Sequence, residues 1–215
     1  MNHRHRHRRH VAALLGILAV QAPLMQAARA AAVTVNVTTQ SGSAAGDAVL
    51  IFDPLDAAPP ASRDAAIIDQ VNKRFVPRVS VVRTGTTITF PNSDNIRHQV
   101  YSFSPAKTFD LKLYAGSPKT PVEFDRPGLV VLGCNIHDTM VAFVGVVDSP
   151  YFAKTSPSGN ATLTLPPGRY RLRAWHPNEL GAIPVQEITV AAAPLSIPLA
   201  IDVDKSSSTV AAWPE

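Results

Sequence analysis

Apolar and polar positions along this 215-residue chain alternate in short runs, and no stretch of useful length repeats at the period of a helix. The runs are rich in β-branched residues and are bounded by Gly, Pro, Asn and Asp. That pattern predicts an all-β protein. Strands are expected at 33–38, 48–52, 79–82, 86–90, 99–103, 122–124, 129–132, 141–147, 161–165, 169–175, 185–190 and 195–201. Turn signals fall between them, at Gly42, Gly85, Asn92 to Asn95, Pro127-Gly128, Ser158-Gly159-Asn160 and Pro167-Gly168. Segment 54–62, PLDAAPPAS, reads as a linker, and 204–215 as a flexible tail.

Two patterns separate along the chain. A central one covers 66–149 and is flanked by 33–58 and 151–203. Neither flank holds enough strands for a stable sandwich, whereas together they hold about six. The expected arrangement is a discontinuous outer sandwich with the central segment inserted into it. The plainer alternative is that the flanks extend the central sandwich as extra strands.

Composition refines this picture. Hydrophobic residues make up 46% and charged residues 17%, enough apolar material for a core. The formal charge of +4 is misleading. Residues 1–10, MNHRHRHRRH, carry four Arg and no acid; an apolar run follows, and Ala28-Arg29-Ala30 fits a small-residue cleavage site. Residues 1–30 therefore read as a cleavable export signal, too short and Pro-interrupted for a membrane anchor. Without them the charge falls to −1, since five of the 20 basic residues and none of the 16 acids are lost. No basic patch remains to argue for nucleic acid. Export places the mature chain in the periplasm, with no membrane span after cleavage.

The same subtraction isolates the chemistry. The remaining His are His98, His137 and His176, the only Met is Met140, and the only Cys is Cys134. Cys134, His137 and Met140 form C-x-x-H-x-x-M just after the strand at 129–132, and His98 lies just before the strand at 99–103. Thiolate, two imidazoles and a thioether are together the ligand set of a mononuclear blue-copper site, cycling between Cu(I) and Cu(II). Singly, each residue has an ordinary reading: Cys and Met as core filler, His as a hydrogen-bonded surface group. It is their convergence on one loop that points to metal. A Cys–His nucleophilic pair is the competing chemistry; it would need a third, orienting group, and no such group can be placed.

Residues 66–148 resemble a cupredoxin of the plastocyanin, pseudoazurin and amicyanin group. The stretches that carry the resemblance are FVPRVSVVRTGTTITFPNSDNIRHQV and FDRPGLVVLGCNIHDTMVAFVGVVD. The resemblance implies a Greek-key β-sandwich, with His98, Cys134 and His137 as equatorial copper ligands and Met140 as the weak axial one. The loop is most similar to that of amicyanin. VYSFSPAKTFDLKLYAG and GCNIHD resemble exported proteins called methylamine utilization proteins. The flanks, above all TSPSGNATLTLPPGRYRLRAWHP, resemble carboxypeptidase-regulatory-like or transthyretin-like sandwiches.

The polar neighbours expected around the ligands are Asn92, Gln99 and Asn135. Gln99 departs from the family, which usually has Asn there, bonded across to the Cys loop. Asp138 is a further loop candidate, and His176 beside Trp175 is expected to pack at a strand end. Lys107, Lys112, Lys119, Arg97 and Arg126 are a candidate docking face for an acidic partner. Electrons are expected to pass at His137, within an apolar collar of Ile136, Met140 and Pro105. The favoured function is a monomeric one-electron carrier with transient redox partners and no enzymatic activity. The alternative is a copper-binding, delivery or sensing protein.

Overall fold

The structure, a computed structural model, describes residues 29–56, 64–118, 120–204 and 210–214. The expected export signal up to residue 28, most of the linker and Lys119 lie outside the described residues. Among those described, every regular element is a strand. Among the described residues no helix is long and apolar enough to cross a membrane.

The N-terminal flank contributes β1 (Ala31–Thr39) and β2 (Val49–Pro54). The central segment follows with β3 (Ala65–Ile67), β4 (Asp69–Gln70), β5 (Phe75–Val76), β6 (Val79–Arg83), β7 (Thr86–Thr89), β8 (His98–Ser104), β9 (Lys107–Tyr114), β10 (Val122–Phe124), β11 (Gly128–Gly133) and β12 (Val141–Val147). The C-terminal flank adds β13 (Phe152–Lys154), β14 (Asn160–Leu165), β15 (Gly168–Trp175), β16 (Gln186–Val190) and β17 (Leu195–Ile201).

The central strands make the two-sheet sandwich expected of a cupredoxin. One sheet runs β6-β12-β11-β8-β9 and faces β10-β7-β3, with β4-β5 as a small separate hairpin. The flanking strands interleave in two further sheets, β14-β1-β17 and β13-β2-β15-β16. Strands that precede the central segment thus sit between strands that follow it.

Burial explains which runs are continuously apolar. In β2, VLIF, Leu50 and Phe52 enter the core of the flanking sandwich, while Val49 and Ile51 enter a second cluster. In β12, VAFVGVV, Ala142, Val144 and Val146 face the central core, and Phe143 and Val147 face that same second cluster. Successive side chains of a strand point to opposite faces, so a strand covered on both sides has no polar positions. The shared cluster, with Trp175, is the seam between the two sandwiches.

Three readings of the sequence are corrected. Lys107–Tyr114 is a strand of 8 residues that the pattern did not reveal. It lies at a sheet edge with Thr108, Asp110, Lys112 and Leu113 exposed, and its register with β8 shifts between His98 and Val100, which breaks the alternation near its end. Segments β3, β4, β5 and β13 have only two or three residues each, too few for a period to register. Within the segment expected to be a flexible tail, the described residues 210–214 lie against the fold. Trp213 packs into the seam 5.4 Å from the ring of Trp175. Trp175 Nε1 donates to the carbonyl of Ala211, and Arg173 Nη1 to that of Pro214.

Candidate metal centre

β11 and β12 are antiparallel neighbours, and Gly133 pairs with Val141. The loop 134–140 therefore starts and ends at one point of the sheet. Val141 faces the seam, and the open face of Gly133 is covered by Tyr101, whose ring lies 2.7 Å from where a Cβ would stand. The strand alternation then turns the next residue inward at each end, and both Cys134 and Met140 belong to the central core. The loop is tightened by Met140 N–H donating to the carbonyl of His137 at 2.9 Å.

His98, the first residue of β8, enters the same space from the neighbouring strand. Its Nδ1 lies 4.0 Å from Cys134 Sγ, and its ring centroid lies 5.0 Å from that of His137. Ligand atoms of His98, Cys134 and His137 all fall within 4.8 Å of one another. His98 is fully buried, and Cys134 and Met140 are 3% and 1% exposed; His137 is half-buried.

Other groups complete the surroundings. His98 Nε2 donates to Asp94 Oδ2 at 2.7 Å. The Lys73 amide and, more weakly, the His98 and Asn72 bonds hold the Asp94 carboxyl below its ordinary range, against the opposing effect of desolvation. Tyr114, paired with His98 across β8 and β9, donates its hydroxyl to the carbonyl of Phe90. Burial pushes its pKa up to about 12.

Two of the expected polar neighbours act differently from the sequence reading. Gln99 Nε2 donates to Asp110 Oδ1 on β9 at 2.6 Å rather than toward the loop. Next to an inward His98, Gln99 lies on the opposite side of the strand, within reach of the neighbouring strand β9. Asn92 is buried but donates to the carbonyls of Ile96 and Tyr114 and accepts from Asp94 N–H, so it frames the loop before His98. Asn135 and Asp138 are exposed in the ligand loop.

The expected collar is also redrawn. Ile136 is 47% exposed beside His137. Met140 is buried and offers little surface. Pro105 lies in the turn joining β8 to β9. His98 opens β8, so Pro105 is at the opposite end of the sandwich, about 20 Å away at the rise of a strand. Ile96, on the loop before His98, is the other apolar side chain partly exposed close to a ligand in sequence.

His176 is buried at the end of β15, its Nδ1 accepting from Asn178 N–H, and packs as a strand-end residue. Lys107 pairs with Asp125, and Lys112 with Asp110, so two of the five residues of the expected basic face lie against acids.

The sequence signal that could have found Asp94 is its place four residues before His98, in the turn Asn92 to Asn95. Tyr114 carried no signal while β9 was unseen.

The fit to a copper ion can be tested on the residues themselves. His137 Nδ1 is buried and has no hydrogen-bond partner, a costly state for an imidazole nitrogen unless it binds something. The donor set adds the sulfur of Cys134 and a second imidazole, soft and borderline donors of the kind copper takes. The residues present fit the ion.

No family model matches the chain, and no curated protein does. The solved structures it resembles include a purple cupredoxin, pseudoazurin, amicyanin and a Cu-containing nitrite reductase. It is similar to a Cu-containing nitrite reductase from Thermus scotoductus SA-01, with 23% identity, 44% of this chain covered and a TM-score of 0.36. It spans only 25% of that enzyme. It is similar to a purple cupredoxin from Nitrosopumilus maritimus, with 24% identity over 39% of this chain and 99% of the other, TM-score 0.34. A pseudoazurin from Methylobacterium extorquens AM1 is similar at 24% identity over 40% of this chain and 77% of the other, TM-score 0.34.

Proposed function

We propose that the protein is a periplasmic electron carrier with one mononuclear copper held by His98, Cys134, His137 and Met140. The observation that carries this reading is the convergence of three donor atoms within 4.8 Å, in an apolar core where His137 Nδ1 has no other partner. When bound, copper supplies a one-electron Cu(I)/Cu(II) couple. The chain's part is to hold the donors still. Cys134 and Met140 are fixed by the closed β11–β12 loop, and His98 by a different strand of the same sheet. Donors anchored to packed strands change position little with oxidation state, which favours fast electron exchange.

Burial supports a carrier over a delivery protein. Ligand transfer to a partner needs access to the donors, and here His98, Cys134 and Met140 are all inside. His137 is the ligand nearest solvent, and Ile136 beside it gives a small apolar contact. Such a contact suits a transient complex at the low end of interface size. No bond in a substrate is made or broken.

The test is copper loading of the purified chain. One copper per chain, an intense visible thiolate-to-copper band in the oxidised form, and reversible bleaching on reduction are expected. Release of one oxidation state without reversible cycling would instead select the delivery function, and absence of the band would overturn the site.

A further inference from the structure

We propose that Asp94 is a positioning and charge-setting residue for His98, holding its imidazole in one tautomer and biasing the site toward Cu(II). The inference deepens the copper reading above and rests on it.

The geometry is specific. Asp94 sits in the loop between β7 and β8 and presents both carboxylate oxygens to fixed donors. Oδ1 accepts from Asn72 N–H at 2.6 Å, and Oδ2 accepts from Lys73 N–H at 2.8 Å and from His98 Nε2 at 2.7 Å. Asn72 and Lys73 form the tip of the β4–β5 hairpin. Both have left-handed backbones, with φ of 54° and 56°. That is the conformation of a tight hairpin turn, and here it aims two successive amides at one anion. The Asp94 backbone is held in turn by Asn92 Oδ1 at 3.1 Å. The small hairpin therefore works as a clamp on the carboxylate, and the carboxylate as a clamp on the ligand.

Two consequences follow for His98. A donor bond from Nε2 fixes the proton there and leaves Nδ1, the atom facing Cys134 at 4.0 Å, as the free donor. A carbonyl would orient the ring equally well. A carboxylate adds a negative charge behind the imidazole, which strengthens it as a donor and stabilises the more highly charged ion. The Asp94 side chain is 13% exposed and His98 is fully buried, so water screens this charge only partly.

Two variants separate orientation from charge, both in the copper-loaded full chain. In Asp94→Asn the side-chain oxygen can still accept from Lys73 and His98 while the charge is gone, and the amide NH2 replaces the oxygen that accepted from Asn72, so one hairpin bond is lost with the charge. The visible band should persist, the reduction potential should rise, and Cu(II) affinity should fall about tenfold with Cu(I) affinity changing less. In Asp94→Ala orientation is lost too, and the Cu(II) loss should grow toward about 100-fold. The melting temperature of each metal-free variant is measured alongside. An unmoved potential in both variants overturns the inference, as does equal weakening of Cu(I) and Cu(II) that tracks a lower metal-free melting temperature. A wild-type chain lacking the thiolate band overturns the copper reading itself, and this inference with it.

Discussion

The indole of Trp213 lies so close over Gly145 that a Cβ there would stand 2.1 Å from the ring. Gly145 is on the central strand β12, and Trp213 also meets Trp175 of the flanking sheet, so one side chain near the end of the chain touches both sandwiches. Trp213→Ala should lower unfolding stability by about 1–3 kcal/mol, as expected for removing a partly buried aromatic, and Gly145→Ala should displace the same indole. Denaturant titration checks both. On the insertion reading, Trp213→Ala should also speed proteolytic release of a folded core of residues 64–149, cut near 54–62 and 148–151. Failure to recover that fragment folded would favour one integral sandwich.

Cys134→Ser should abolish the visible band of the copper-loaded protein and leave the far-ultraviolet dichroism of the β-fold unchanged. Ser is nearly isosteric with Cys, so the core that holds it is barely disturbed. A retained band would place the thiolate elsewhere, although Cys134 is the one cysteine of the sequence.

Met140→Gln should keep copper bound and lower the reduction potential, because replacing a thioether with an amide oxygen favours Cu(II). Voltammetry and metal analysis read the two effects separately. The amide enters a buried apolar position, so a stability loss of about 1–3 kcal/mol should accompany it. Copper loss, or an unmoved potential, would remove Met140 from the ligand set.

Ile136→Lys should slow electron self-exchange while leaving the visible spectrum nearly intact, since the residue is surface-exposed beside His137 and its side chain is not a ligand. Stopped-flow mixing or line broadening measures the rate. Equal rates would move the docking surface away from the loop. Pro105, at the far end of β8, should have no effect when replaced by Ser.

Glu179 has its pKa raised to about 7, chiefly by burial, partly offset by the His176 amide. An acid whose folded value lies above its unfolded value near 4.5 favours the fold while protonated. The contribution of this group to stability should be greatest below that unfolded value and decline as pH rises toward 7. The carboxyl is only partly buried, so the loss should be modest, about 1–2 kcal/mol after screening. Glu179→Gln should flatten that part of the pH profile in denaturant titrations.

The ligand loop was legible in the sequence because its residues are rare there. One Cys, and Met140 within a single short loop, leave few other arrangements, and the flanking strands are strongly apolar. The surroundings were less legible because they depend on facing direction and on edge strands. Gln99 adjoins a ligand in sequence yet bonds Asp110 on β9, a partner that is out of sight while that strand is unrecognised. Asp94 reaches His98 only through a loop conformation set by Asn92 and by a hairpin of two-residue strands. Trp213 was hidden because the polar run DKSSS before it resembles a free end. What draws that end back is the seam, which exists only after the two sandwiches meet.

That seam has a consequence for traffic between proteins. It seals the outer surface of β6, β12 and part of β11 against the second sandwich, so a broad flank that would otherwise collide with partners is out of reach. On the proposed carrier reading, a partner would find the buried centre addressable from the loop tip carrying Ile136 and His137, while the β8–β9 margin and the outer face of β10-β7-β3 stay open but lead away from it. Fewer orientations of encounter are then productive, which slows the search, but each productive one delivers the partner to the same doorway.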